Sequence, residues 1–131
     1  MTGTRLRLTV AVVAILMVAA AVTVGTKTND RRNAKIQAYW TPATRTMQIH
    51  YSFGNRAHDA SDTGAVKGAP FQATGYLETF ESIAVAIHEV QPADGPGRTI
   101  FIRFWVQGHG WTEWKPSTGT RAAETWGPLV F

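Results

Sequence analysis

The sequence predicts a small antiparallel β-sandwich of six or seven strands, carried behind one apolar N-terminal segment. Three observations predict it. Leu8 to Thr26 is a single uncharged apolar run, and nothing after it resembles a second span. From residue 34 the apolar residues recur every second position, the period of a strand with one buried face. Clusters of Gly, Pro, Thr, Asp and Asn punctuate these runs, and no stretch has the spacing of an amphipathic helix, which together favour an all-β layered fold.

Residues 1–7 form a short basic segment with Arg5 and Arg7. The run behind it, residues 8–26, would reach roughly 28 Å as a helix, close to the hydrocarbon thickness of a bilayer. Leu8, Val12, Ile15, Leu16, Val18 and Val22 are its candidate lipid-facing anchor residues. Two fates are open. The whole run serves as an uncleaved transmembrane anchor, or Leu8–Val18 is the core of a signal peptide cut after Ala21, with Ala19 and Ala21 as the small residues a peptidase requires. The chain has no cysteine, which excludes a lipoprotein anchor, a disulfide framework and a thiolate metal site. Lys27, Arg31, Arg32 and Lys35 follow the run, so a strict positive-inside count would leave the C-terminal domain in the cytoplasm. A short basic start with an immediate apolar stretch is, however, the usual beginning of an exported chain. The expectation is a single-pass plasma-membrane protein with an extracytoplasmic C-terminal domain, secreted if cleaved.

Residues 27–33 read as a polar linker and residues 34–131 as the sandwich domain. Ile36, Ala38 and Trp40 alternate with Lys35, Gln37 and Tyr39; Met47, Ile49, Tyr51 and Phe53 alternate with Gln48, His50 and Ser52. With Thr41–Thr44 as a turn, the two runs are expected to pair as a hairpin. Gly54–Pro70 reads as a long loop, an unusual length for a compact domain. Phe71–Leu77 is a short strand weakened by Gly75. Ile83, Val85 and Ile87 favour a strand for Phe80–Val90, where a short helix is the alternative. Gln91–Gly97 is a strong turn into Thr99–Gln107, the most strand-like stretch, and Trp111–Trp114 is its return strand. Residues 115–131 are either a loose tail or a last edge strand near Trp126–Phe131.

The computed isoelectric point, near 9.9, suggests nucleic acid as a partner. The location of the charge does not. From Asn33 onward the eight basic residues Lys35, Arg45, Arg56, Lys67, Arg98, Arg103, Lys115 and Arg121 are matched by eight acidic ones, Asp59, Asp62, Glu78, Glu81, Glu89, Asp94, Glu113 and Glu124. A neutral domain lacks the basic stripe that displaces counterions from phosphates, so no nucleic-acid partner is expected. The Lys27–Lys35 cluster is either a juxtamembrane segment held near anionic headgroups or a solvated linker.

Chemistry-bearing motifs are scarce. His50, His88 and His109 sit at positions that strand faces and turns explain by themselves. His58 with Asp59 and Asp62 is the only local ligand-like group, and its spacing matches no established metal loop, so no metal or cofactor is expected. Glu78, Glu81 and Ser82 flank a turn without forming a recognisable acid–base or nucleophile motif, so no catalytic residue is expected. The aromatics are more informative. Trp105, Trp111 and Trp114 lie within ten residues, with Tyr39 and Trp40 as possible neighbours in space. Phe101, Arg103 and Trp105 share a strand face opposite Ile100, Ile102, Phe104 and Val106, and both faces cannot pack one core. Phe101, Arg103, Trp105, Trp111 and Trp114 are therefore the candidate partner-binding residues, of types favoured at interfaces.

The single N-terminal span followed by IQAYW, MQIHYSF, APFQATGYLETFESIAVAIHEV and TIFIRFWVQG resembles the MmpS family of small actinobacterial membrane proteins. The resemblance covers most of the chain and implies an immunoglobulin-like extracytoplasmic sandwich accessory to an RND-type lipid or siderophore transporter. The cysteine pair frequent in those ectodomains is missing here, and the Gly54–Pro70 stretch and the Trp-rich end have no counterpart. The expected function is non-enzymatic binding at the envelope, with membrane lipid and another envelope protein as partners. A phage-encoded membrane protein that blocks superinfection and a small envelope hydrolase are the alternatives.

Overall fold

Where apolar residues alternate, an extended chain can bury one face only by stacking against a second sheet, and that requirement organises this domain. The computed structural model describes residues 30–90 and 98–130, which contain no helix. Nine strands occur among these residues: β1 (Arg31–Thr41), β2 (Thr46–Phe53), β3 (Arg56–Thr63), β4 (Phe71–Glu78), β5 (Ile83–Glu89), β6 (Thr99–Val106), β7 (Gly110–Trp111), β8 (Lys115–Thr118) and β9 (Arg121–Trp126). They form two antiparallel sheets. The first runs β4–β1–β6, with β7 and β8 sharing the far edge of β6; the second runs β3–β2–β5–β9. The apolar anchor, with Leu8, Val12, Ile15, Leu16, Val18 and Val22, lies outside the described residues, as does the turn at 91–97. Among the described residues no helix is long and apolar enough to cross a membrane.

The core is built from every second residue of the longer strands. Ala34, Ile36, Ala38 and Trp40 of β1 and Ile100, Ile102, Phe104 and Val106 of β6 face Met47, Ile49 and Phe53 of β2 and Ile83, Val85 and Ile87 of β5. All are buried, and within the run over residues 80–90 the strand is Ile83–Glu89. Trp40 satisfies its indole N–H by donating to the Arg45 carbonyl at 2.8 Å, as a buried Trp must.

Three local expectations need correction. β1 and β2 do not pair: β1 lies between β4 and β6, while β2 lies between β3 and β5. Residues 42–45 carry the chain from one sheet to the other, so that Trp40 and Met47 enter the core from opposite layers. The expected long loop is instead a hairpin and a short connection. Phe53 pairs with Arg56, so Gly54 and Asn55 alone turn the chain from β2 into β3. β3 reads RAHDASDT and is polar because it is an edge strand with little core to fill. Its order comes from the ladder to β2, and charged residues on an exposed edge discourage pairing with another chain. Strand order also starts earlier than expected, at Arg31, within the stretch read as linker. At the other end, β8 and β9 occupy residues 115–126. Leu129 is buried and locks the tail, donating to the Glu81 carbonyl at 2.8 Å and accepting from the Phe80 N–H at 2.6 Å.

Gly75 in β4 is required by packing. A Cβ there would come within 2.8 Å of three atoms of the Phe53 ring, which crosses from the opposite sheet. Gly75→Ala is expected to lower unfolding free energy by about 1–3 kcal/mol, the usual cost of overpacking a rigid site; urea denaturation of the variant measures it.

One charge cluster lies inside the apolar layers. Glu89, at the end of β5, places Oε1 2.5 Å from Arg98 Nε, with Oε2 3.4 Å from Arg98 Nη2 and 3.6 Å from Arg45 Nη1. The Glu89 and Arg98 side chains are 2 % and 3 % exposed. A charge so buried persists only when paired. Glu89→Ala removes the carboxylate that Arg98 and Arg45 share and is expected to cost about 3–5 kcal/mol, seen as a lower midpoint in thermal or urea unfolding.

Candidate functional site

The outer face of the first sheet is built by the residues that alternate with its core. On β1 these are Lys35, Gln37 and Tyr39; on β6 they are Phe101, Arg103 and Trp105. The register sets Lys35 beside Trp105, Gln37 beside Arg103 and Tyr39 beside Phe101. At the edge, Trp111 of β7 pairs with Trp105, and Trp114 follows in the link to β8.

Arg103 is the hub of this face. Its guanidinium carbon stands 4.2 Å from the Trp111 ring centroid and 4.3 Å from that of Trp114. Its Nε donates to Gln37 Oε1 at 2.9 Å, and Gln37 Nε2 donates to Gln72 Oε1 of β4 at 2.6 Å. A polar chain thus crosses three strands and ends on two indole rings. Tyr39 stacks on Phe101, with centroids 4.5 Å apart and planes 6° apart, and meets Trp114 edge-on at 4.8 Å. Lys35 Nζ lies 4.9 Å from the Trp105 ring centroid. The aromatic rings attract the cations through their quadrupoles, and each exposed pair contributes about 0.5–1 kcal/mol. The result is a fixed platform with Trp111 at its exposed margin.

All five residues singled out in the sequence, Phe101, Arg103, Trp105, Trp111 and Trp114, lie on this face. Tyr39 joins them, whereas Trp40 points the other way, into the core. Gln37 and Gln72 were not readable as site residues, because a glutamine on an outward position looks like any solvated side chain. The only hint was that Lys35, Gln37 and Tyr39 alternate with buried residues.

The chain matches no family model, no curated protein and no solved structure.

The carboxylates considered for acid–base work hold the β4–β5 turn. Arg56 donates to both Glu81 oxygens, at 2.8 and 3.2 Å, and to the Tyr76 carbonyl at 2.6 Å. Glu81 also accepts the Glu78 N–H at 2.9 Å, and Glu78 itself pairs with Arg31 at 3.6 Å. The Arg31 and Arg56 guanidiniums each lie within 4.0 Å of the Tyr76 ring centroid. Gly54 permits this clamp: its φ of +64° suits glycine, and a Cβ would strike the Glu81 carboxylate. Ser82 offers its carbonyl to Gly54 N–H at 2.8 Å.

Strand alternation disperses His58, Asp59 and Asp62. His58 lies beside the Tyr51 ring, with centroids 5.4 Å apart, while Asp59 turns to the opposite face and bonds His50; Asp62 accepts the Thr63 N–H at 2.8 Å. His109 sits in the β6–β7 turn, 5.2 Å from the Trp126 ring. His50 and His88, by contrast, are brought together on the outer face of the second sheet.

Burial pushes the Glu81 carboxyl up, but the Arg56 hydrogen bond, the Glu78 N–H and the charges of Arg56 and Arg31 outweigh it and hold Glu81 below its ordinary 4.5. A depressed folded-state value stabilises the protein above that pH, and the contribution is lost as pH falls through the folded value. Glu81→Gln is expected to lower stability at neutral pH and to flatten the decline below pH 4.5; thermal midpoints of both proteins across that range check it.

Proposed function

We propose that this chain is a non-enzymatic binding protein of the cell envelope. In this reading residues 8–26 anchor it in the plasma membrane and an extracytoplasmic, immunoglobulin-like domain docks onto another envelope protein. The resemblance noted in the sequence makes an accessory subunit of an RND-type transport system the preferred assembly. The observation that carries the proposal is the Arg103–Trp111–Trp114 cluster, which gathers on the outer face of a sheet whose other face already fills the core.

Trp, Tyr and Arg are the residues in which binding energy concentrates at protein interfaces: Trp and Tyr offer large area with few internal rotations to freeze, and Arg offers several hydrogen bonds from one planar group. Here those rotations are restricted before any partner arrives, since Arg103 is held by Gln37 and two indoles. Pre-ordering of this kind lowers the entropic cost of association. The neutral charge balance from residue 33 onward fits a protein partner better than a polyanion.

Site-specific photocrosslinking tests the reading. A photoreactive residue at position 111 of the membrane-bound full-length protein is expected to trap one envelope partner, and Arg103→Ala or Trp114→Ala is expected to cut the yield at least tenfold. The same label at exposed Ala123 of β9 should trap none. No crosslink from 111, or equal crosslinking from both positions, would falsify the proposal.

A further inference from the structure

We propose that His50 and His88 form a binding site for one divalent transition-metal ion of the zinc, copper or nickel type. The site lies on the second sheet, on the opposite layer from the aromatic platform, and does not depend on the docking role proposed for that platform.

β2 and β5 are neighbours, with Gln48 opposite His88 and His50 opposite Ala86. His50 and His88 are therefore diagonal neighbours on the outer face. Their ring centroids are 5.4 Å apart with planes 19° apart, while the two Nε2 atoms are 3.4 Å apart. The rings thus meet edge to edge, with Nε2 innermost on each.

The opposite nitrogen of each ring fixes its tautomer. His50 Nδ1 lies 2.5 Å from Asp59 Oδ1, and His88 Nδ1 lies 3.4 Å from the Glu89 carbonyl oxygen. A carboxylate and a carbonyl only accept, so each Nδ1 is the donor, and in the neutral imidazole each Nε2 then presents a lone pair. Two lone pairs facing each other repel unless a positive centre lies between them. A proton is one such centre, in the long 3.4 Å hydrogen bond the two Nε2 atoms can share, and a metal ion is the other. Two nitrogens bound at about 2.0–2.1 Å to a tetrahedral ion stand about 3.3–3.4 Å apart. The 3.4 Å gap between the two Nε2 atoms also suits a pair bound to one metal ion. The acceptors on Nδ1 are those that orient and strengthen metal-binding histidines, a carboxylate on one ring and a backbone carbonyl on the other.

Among the described residues no group of three or more His, Cys, Asp or Glu converges on one point. The protein then supplies two ligands, and the remaining positions are open to water or to an external donor. Space exists for one: a shallow groove of about 510 Å³ runs beside His50, paved by Ser52, Ala84, Ala86, Ala123 and Thr125. A two-imidazole site binds borderline ions reversibly and ignores magnesium and calcium, which take oxygen ligands.

Isothermal titration of the untagged full-length protein with Zn²⁺, Cu²⁺, Mg²⁺ and Ca²⁺ tests this. The expected result is one equivalent of zinc or copper, copper the tighter, and no binding of magnesium or calcium. His50→Gln and His88→Gln should each abolish the isotherm, Asp59→Asn should weaken it about 10–100-fold, and His58→Gln and His109→Gln should leave it intact. Electron paramagnetic resonance of the copper form should show two equivalent nitrogen ligands, a readout that needs no variant. Absence of binding, binding that survives the double substitution of His50 and His88, or fewer than two nitrogens on copper would overturn the proposal.

Discussion

Successive side chains of an extended strand must leave on opposite faces, and in β1 and β6 this constraint assigns every residue a duty. The inward set is aliphatic apart from Ala, Trp40 and Phe104 and closes the core; the outward set is Lys35, Gln37, Tyr39, Phe101, Arg103 and Trp105. Because the two strands are hydrogen-bonded neighbours, the outward residues are held in register and not merely close. A one-residue slip would exchange the two sets, putting Arg103 in the core and Phe104 in water, so burial and surface display enforce the same alignment. The order of the platform is a by-product of the packing beneath it.

The ends of the sandwich are secured by charge instead of apolar contact. At one end Glu89 collects Arg98 and Arg45 from the starts of β6 and β2; at the other Arg56 reaches from the β2–β3 hairpin to Glu81 and the Tyr76 carbonyl. Each cluster joins elements far apart in sequence, where side chains must be long enough to bridge the layers. The two differ in burial. Glu89 and Arg98 are sealed from solvent, whereas Arg56 and Glu81 retain about a quarter of their exposure.

Periodicity in the chain disclosed the strands that bear core residues. Ile83, Val85 and Ile87, and Ile100 to Val106, announce themselves because half their side chains must avoid water. β3 was invisible for the converse reason: its partner β2 orders it, and its own side chains meet solvent. The supposed β1–β2 hairpin failed because alternation records which face is buried and carries no information about which strand lies alongside. For the platform, the aromatic residues of β6 and of residues 111–114 were legible, but the expected return strand over Trp111–Trp114 is only Gly110–Trp111, which leaves Trp114 in the link to β8. Gln37 and Gln72 were not legible, since only the pairing of β4 with β1 brings a second amide within reach. The His50–His88 pair lay deeper still, 38 residues apart with nothing in either neighbourhood to couple them.

β1 has a mechanical consequence. It begins at Arg31, is eleven residues long and, among the described strands of the first sheet, carries the longest ladders on both sides, eight pairs to β4 and eight to β6. Tension applied to the chain at its N-terminal end therefore enters the middle of a sheet, and not a dangling edge. Both ladders oppose sliding together when the pull runs along the strand. A module loaded in this way resists unfolding far better than one whose first strand could be unzipped a single hydrogen bond at a time.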